Sequence, residues 1–337
     1  MDGYNERRTA GVRSAITALV LFGAVVLAPP SFAQVETLRP MTKDQEIAYR
    51  HQVALAARRT LQRVVIPNIS KVIPENERRL LATIDVEVTE HRSEFALAHA
   101  FVNNSDNREI EFGDGFMMLS YVMCQDYLVA YKLNELDAFG QFLSDTVQVS
   151  EENGERYVRG DSIIDTPPFL NYLHEPTQQI TQAVAETSGP AVQMMIDNLT
   201  FIFAHELAHH VHGDTTREFP SGLTKAERIS LIRREEAAAD QYAIDVTTKT
   251  GALVMGAIPI MTLFAYSETD PDPDNFGDHP PAACRLRDMA EVAFPQIENQ
   301  PDFAETLRKN PGAQEGWEAS KRSLATLGSL LSGLCPN

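Results

Sequence analysis

Apolar residues recur at helical spacing in two segments of the chain, 191–211 and 225–247. In both segments they lie alternately three and four residues apart, which is typical of an α-helix that buries one face. The apolar positions of the first segment are Val192, Met195, Leu199 and Ile202. Those of the second are Ile229, Ile232, Ala239, Ala243 and Val246. The pattern therefore predicts two helices whose buried faces pack inside the protein.

The rest of the pattern predicts a small sheet and several further helices. Alternating or apolar runs bounded by turn residues predict short strands at 83–88, 95–102 and 108–112. The further helices are predicted at 42–65, 116–143, 282–294 and 315–334. The apolar stretch 251–267, which contains Pro259, predicts a buried helix because it is short for a membrane span. The polar segment 144–190, broken by Gly and Pro, predicts a long loop with short helical pieces, which forms an insertion or lid.

The first of the two helices carries His-Glu-Leu-Ala-His at residues 205–209. Two histidines four residues apart lie on the same face of a helix, one turn from each other. His205 and His209 can therefore hold one Zn²⁺, with Glu206 as general base on a zinc-bound water. Because the apolar stripe runs into these positions, we expect the three side chains to point inward, where a metal offsets their burial.

The second helix offers a third ligand in Arg-Arg-Glu-Glu-Ala-Ala-Ala-Asp, residues 233–240. Glu236 occupies a position of the apolar stripe and Glu235 does not, so we expect Glu236 to face the core and Glu235 to face solvent. Asp240 lies one turn after Glu236, where it can accept the outer N–H of a ligating histidine. The alanines between them allow a close approach of the neighbouring helix.

His210 and His212 follow the motif directly. A turn of about 100° per residue excludes His210 from the face of His209, whereas His212 can point near the site. We expect two exposed histidines at a helix end, where positive charge is favourable. A metzincin site requires Gly at 212 and His at 215; the chain has His212 and Thr215, which disfavours that class.

The N-terminus has the features of a secretory signal. Three arginines precede an uncharged apolar run at 15–28, and small residues at Ser31 and Ala33 predict cleavage after Ala33. Export to the periplasm or the extracellular space is therefore expected, with an uncleaved membrane anchor as the alternative. Without internal repeats or a second domain boundary, residues 34–337 are expected to form one domain.

Composition limits the classes of partner. The formal net charge of −18 makes nucleic acid an improbable partner, because phosphate binding needs a basic surface. The three cysteines are Cys124, Cys284 and Cys335, and none lies at zinc-finger spacing. An odd number leaves at least one unpaired, and a Cys284–Cys335 disulfide would tie the C-terminal tail to the domain.

His-Glu-Leu-Ala-His followed by Glu-Ala-Ala-Ala-Asp resembles the HExxH…ExxAD pattern of gluzincin peptidases, and most closely the HtpX and CAAX-prenyl-protease group. Two weaker stretches agree in order: Ala98–Phe116 resembles the segment whose edge strand lies beside the bound peptide, and His279–Arg285 resembles a HPxxxxR segment. The resemblance covers about 95–290. The long segment 144–190 and the lack of the transmembrane helices that many members carry are departures from the group.

The resemblance implies zinc ligation by His205, His209 and Glu236, with Glu206 as catalytic base. It also implies that Asp240 orients a ligand. His279 would steady the oxyanion, a structural role in a proline-rich loop being the alternative, and Arg285 would hold that segment.

The expected fold class is therefore α+β and mainly helical: a zincin-like catalytic domain with a small antiparallel sheet and the motif on its active-site helix. The expected function is zinc-dependent hydrolysis of peptide bonds in a peptide or protein substrate, which would add as a strand beside 108–113. Two alternatives stay open, a catalytically silent zinc-stabilised binding or chaperone-like protein of the cell envelope and a zinc hydrolase acting on a non-peptide amide. The sequence does not define the oligomeric state.

Overall fold

The computed structural model describes residues 51–52, 55–89, 98–103, 105–162, 164, 167–267 and 281–299, with eight further residues between 304 and 322. The strands are β1 (Ile84–Thr89), β2 (Ala98–Val102) and β3 (Arg108–Gly113). The helices are α1 (Ile66–Val72), α2 (Glu75–Leu81), α3 (Asp114–Leu133), α4 (Leu136–Arg159), α5 (Thr177–His212), α6 (Lys225–Thr250), α7 (Ile258–Ser267) and α8 (Ala282–Glu298). This confirms an α+β, mainly helical fold.

The sheet is mixed, so the expectation of a wholly antiparallel sheet was wrong. Its strand order is β1-β3-β2, with β1 parallel and β2 antiparallel to β3. A tight turn after β2 returns the chain antiparallel: the Asn103 side chain accepts backbone N–H bonds from Ser105 and Asn107, and Asp106 has a φ of 60°. β1 joins the opposite edge of β3 and runs parallel to it. β3 is thus the central strand, and a peptide cannot add beside 108–113 as expected.

One face of the sheet forms part of the core. Ile110 and Phe112 of β3 are fully buried, while the alternating acidic residues of β1 face outward. The ring of Phe112 lies nearly parallel to that of Phe203 on α5, with 6.4 Å between centroids. This packing fixes the sheet against the helix that carries the His-Glu-x-x-His motif.

The predicted helix 116–143 is two helices separated at Asn134. Asn134 adopts a left-handed conformation with a φ of 58°, and the Glu135 N–H donates to the Ala130 carbonyl over 2.8 Å. Asparagine tolerates this conformation better than most residues, so it ends α3 where the apolar pattern alone indicated no break.

The predicted loop 144–190 is largely helical, so that expectation was wrong. α4 extends to Arg159 and packs against α3 and α7, and α5 begins at Thr177. Buried Phe142, Leu143 and Val147 supply α4 with an apolar face that outweighs its glycines. Pro190 lies inside α5 instead of ending a loop before it. A single domain from 34 to 337 and a lid over the site stay predictions.

The N-terminal helix also continues farther than predicted. Residues 55–60 are helical, 61–65 form a π-helical turn, and α1 follows across Pro67. Pro67 is the second residue of α1, where a missing N–H costs little. The part of the predicted helix before residue 51 lies outside the described residues, as do the signal segment and most of the predicted helix 315–334.

The remaining helices match the sequence closely. α5 ends at Gly213, which has a φ of 78°, and α6 begins with a capping box between Thr224 and Glu227. α6 is followed by a short 3₁₀ turn, Val254–Ala257, and by α7, whose described side chains are mostly buried. Within the described residues, none of the helices combines the length and apolarity that crossing a membrane requires.

Candidate metal centre

α5 and α6 pack against each other and bring the predicted ligands together. His205 and Glu206 are buried near the C-terminal end of α5, and Glu236 and Asp240 are buried on the facing side of α6. The apolar stripes of the two helices therefore predicted the inward direction of these side chains correctly. Glu235 differs from its prediction, since its side chain is only 14% exposed and pairs with Arg217.

Three potential ligand atoms converge at distances that suit one small metal ion. The two Nε2 atoms of His205 and His209 lie 3.3 Å apart. The Glu236 carboxylate places one oxygen 3.2 Å from His205 Nε2 and the other 3.5 Å from His209 Nε2. Tetrahedral zinc with Zn–N bonds of about 2.0–2.1 Å requires ligand atoms about 3.3–3.4 Å apart. The triad therefore has the size of a tetrahedral site.

The outer nitrogens of both histidines contact carboxylates. His205 Nδ1 lies 2.9 Å from Asp240 Oδ1, and His209 Nδ1 lies 3.2 Å from Asp214 Oδ2. With each Nδ1–H donated outward, each neutral imidazole directs an Nε2 lone pair inward. Lone pairs from two imidazoles and one carboxylate repel one another unless a cation lies between them. The donor set thus fits a divalent metal, although it does not identify which one.

The electrostatics of the site agree with this geometry. Burial lowers the pKa of His205, but hydrogen bonds with Asp240 and Glu236 and the charges of Asp240 and Glu206 raise it overall, to about 10. The position accordingly favours a positive charge strongly, either a proton on the ring or a metal at its lone pair.

Arg285 stabilises the Asp240 carboxylate. From the first turn of α8 it donates two hydrogen bonds of 2.7 Å, one to each oxygen. Burial raises the pKa of Asp240, but the Arg285 charge and the contact with His205 have the larger, opposite effect and lower this pKa to about 2. Asp240 is therefore ionised, and a buried guanidinium compensates its charge. The resemblance implied that Arg285 holds segment 279–285; the described contact of its side chain is with Asp240. His279 lies outside the described residues, so its role stays a prediction.

Glu206 differs from the other carboxylates of the site. Its side chain is buried beside His205, and among the described residues it has no ion pair and no hydrogen bond. A carboxylate in that position is available to exchange a proton with a bound reactant.

The sequence patterns did not indicate Asp214 as a member of the site. It lies in a 3₁₀ turn, Asp214–Thr216, directly after Gly213. Arg217 bridges it to Glu235, with 3.3 Å between Arg217 Nη2 and Asp214 Oδ1. A signal was present, because a ligating histidine requires an acceptor for its outer N–H and Asp214 is the first acid after His209.

The two neighbouring histidines have different environments. His212 is exposed, as expected, and its ring lies edge-on to Tyr242. His210 is buried, so the prediction of an exposed side chain was wrong. Its Nε2 donates to the Glu109 carbonyl over 3.0 Å, and its Nδ1 lies 3.2 Å from the Thr215 hydroxyl. Burial lowers the pKa of His210, which keeps it neutral as a link between α5 and the sheet.

The state of the cysteines agrees with the expectation that at least one of them is unpaired. Cys124 is free and buried in α3, and Cys284 is disulfide-bonded. Cys335, its predicted partner, lies outside the described residues.

The fold and the site together define a mainly helical protein with a buried His-His-Glu group that has the geometry of a metal centre. A model of the peptidase U49 family matches residues 155–304. This segment contains the three potential ligands, Glu206, and the supporting side chains Asp214, Asp240 and Arg285. Comparisons with curated proteins and with solved structures found no match. The family match suggests a peptidase that acts on peptides or proteins.

Proposed function

We propose that this chain is a zinc-dependent endopeptidase of the gluzincin type, similar to the HtpX and CAAX-prenyl-protease group. The observation that carries the proposal is the convergence of His205, His209 and Glu236 beside the buried Glu206, which has no ion pair or hydrogen bond among the described residues. The peptidase U49 match over the same residues supports it independently of this geometry.

Zinc is the metal that the donor set favours. Two imidazole nitrogens and one carboxylate oxygen, with room for a fourth ligand, are typical of catalytic zinc sites in hydrolases. When bound, zinc would supply a Lewis acid that acidifies a water molecule and polarises the scissile carbonyl. Asp240 and Asp214 would hold the two imidazoles in the tautomer that leaves Nε2 free, and Arg285 would keep Asp240 ionised.

Glu206 acts as general base and then as general acid in the proposed reaction. Its carboxylate accepts the proton of the attacking water and passes it to the nitrogen of the leaving amine. Water attacks the carbonyl carbon, the C–N bond breaks, and the products are a carboxylic acid and an amine.

The free edge of β2 is the position at which an extended substrate would bind. Since β3 is central, the edge next to α5 belongs to Ala98–Val102, which also contacts the turn containing Asp214. A peptide added there would form backbone hydrogen bonds with β2 and pass beside the end of α5. This replaces the strand position expected from the sequence.

The test compares Glu206→Gln with the parent protein in three measurements: metal content, thermal stability and cleavage of a fluorescent casein. Glutamine keeps the shape but cannot accept the proton, so we expect one bound zinc per chain and a rate about 10²–10⁴-fold lower. Exposed Glu291 on α8 provides the matched control, Glu291→Gln, which should cleave at the parent rate. Removal of the metal with a chelator should abolish cleavage, and added zinc should restore it.

Each alternative has a distinct result in this test. Equal cleavage by Glu206→Gln and the parent would refute the mechanism. Bound zinc without turnover of protein or peptide substrates would favour the silent binding protein, and turnover of simple amides alone would favour a non-peptide hydrolase.

We also propose that the chain is exported and that its signal segment is removed by cleavage after Ala33. N-terminal sequencing of the protein recovered from cell envelope and medium fractions tests this. A first residue of Gln34 supports export, whereas an intact N-terminus found only in the cytosol contradicts it.

A further inference from the structure

A second candidate site is a cavity away from the metal triad, between α3, the middle of α5 and the 3₁₀ turn Val254–Ala257. The cavity has a volume of about 200 Å³ and is walled largely by apolar side chains, among them Leu128, Met194 and Met255. Asp197 also lines it. Asp197 precedes His205 by more than two turns of α5, so the cavity is separate from the proposed catalytic centre.

Asp197 is a buried acid for which the described residues supply no counterion. The residue is 5% exposed, and Gln193 Nε2 donates to its Oδ1 over 3.0 Å. The backbone N–H of Leu253 also donates to its carboxylate. Both donors are neutral, and within the described part of the chain no cationic side chain pairs with Asp197. Burial raises its pKa to about 7, which reflects the same uncompensated position.

The cavity also opens to solvent at a charged margin. Lys132 and Glu186 line it and form an ion pair with each other, and their side chains are 42% and 43% exposed. Pro190, one turn after Glu186 on α5, also lines the cavity.

We propose that this cavity binds a small organic cation: an alkylammonium whose nitrogen pairs with Asp197 and whose carbon chain lies against Leu128, Met194 and Met255. The ammonium supplies the missing counterion and donates N–H bonds, and the apolar chain matches the walls. A neutral molecule of the same shape would leave the carboxylate uncompensated, and an anion would be repelled. Binding of this kind goes beyond the proposed peptidase activity and does not depend on it.

The experiment titrates the full chain with hexylammonium, using 1-hexanol and hexanoate as neutral and anionic comparators. Calorimetry gives the affinities, and methyl NMR with labelled methionine locates the site through the signals of Met194 and Met255. We expect hexylammonium to bind at least 10-fold more tightly than hexanol and to shift both methyl signals. Hexanoate should not bind. A parallel titration with acetyl-lysine amide distinguishes a free amine from a lysine side chain as the source of the cation.

Asp197→Asn removes the charge and keeps the side-chain shape, so it should weaken hexylammonium binding at least 10-fold. Asp245→Asn, on the exposed face of α6, is the matched control and should leave binding unchanged. The proposal is overturned if hexanol binds as tightly as hexylammonium, if the two methionine signals do not move, or if Asp197→Asn binds normally. The comparison of ligands on the parent protein decides the question even where the variant fails to fold.

Discussion

The Asp214 carboxylate lies 3.2 Å from Nδ1 of His209, five residues earlier in the chain, across the left-handed turn at Gly213. His205 has the equivalent partner in Asp240, from a different helix. Both potential imidazole ligands therefore have a carboxylate behind them. One of these supports is local in sequence and the other is not.

Asp214→Asn should weaken metal binding while leaving the fold intact. An amide is a weaker acceptor for the His209 N–H, so the ring is oriented less firmly, and we expect a loss of about 10–100-fold in zinc affinity. Competition with a chromophoric chelator measures this directly, without reference to activity. Asp245→Asn should bind zinc with the parent affinity, and parent affinity in Asp214→Asn would show that this contact does not support the metal.

Arg285→Met should destabilise the protein more than a surface substitution does. It leaves the buried Asp240 carboxylate without its guanidinium and with His205 as its remaining partner, which costs about 3–5 kcal/mol of unfolding free energy. Arg285→Lys restores the charge without both hydrogen bonds and should recover part of the loss. Denaturant unfolding of the metal-free protein gives both values. If the Met variant were as stable as the parent, the ion pair would contribute no net stability.

Asp197→Asn should change how stability depends on pH. The folded pKa of about 7 lies above the unfolded value near 4, so the neutral carboxyl contributes stability that is complete below pH 4. That contribution is lost as the pH rises towards 7. The variant should match the parent at pH 4 and exceed its stability at pH 8, on the order of 1–3 kcal/mol. Unfolding curves at both pH values measure this, and a difference that is constant with pH would contradict it.

Gly256→Ala should destabilise the contact between the 3₁₀ turn and α5. A Cβ at Gly256 would lie 2.5 Å from the Asp197 Cβ and 2.8 Å from both the Asn198 nitrogen and the Met194 carbonyl oxygen. Backbone atoms cannot yield as a flexible side chain would, so we expect a loss of about 1–3 kcal/mol. Gly222→Ala is a comparison in which the added Cβ meets open space but the positive φ of residue 222 introduces backbone strain. Unchanged stability in Gly256→Ala would contradict this, because it would show that the turn can shift away from α5 at no cost.

Much of the site could be predicted because it depends on helical periodicity. The stripe on the first helix placed His205 and Glu206 inward, and the stripe on the second distinguished Glu236 from Glu235. The role of Asp214 was not predicted because this residue lies in a turn, where no helical periodicity indicates the direction of a side chain. His210 was misplaced because its burial arises from the sheet, through the Glu109 carbonyl, and not from the pattern of its own helix.

The fold predictions that were wrong concern the ends of helices and the pairing of strands. Asn134 ends a helix by adopting a left-handed conformation that apolar spacing does not reveal, whereas Pro190 is tolerated within one. Strand order depends on which edge of β3 receives β1, a long-range choice that local alternation does not determine. These features depend on tertiary contacts, and the single sequence carries little information about them.

The contact between Arg285 and Asp240 has a consequence for the order in which the protein matures. The three potential ligands are all present once residue 236 has been synthesised, but the guanidinium that compensates Asp240 follows almost fifty residues later. A chain still emerging from the ribosome thus carries the His-His-Glu group without its full electrostatic support. Completion of the site is coupled to the docking of α8, which delays full assembly of the centre until nearly the whole chain has been made.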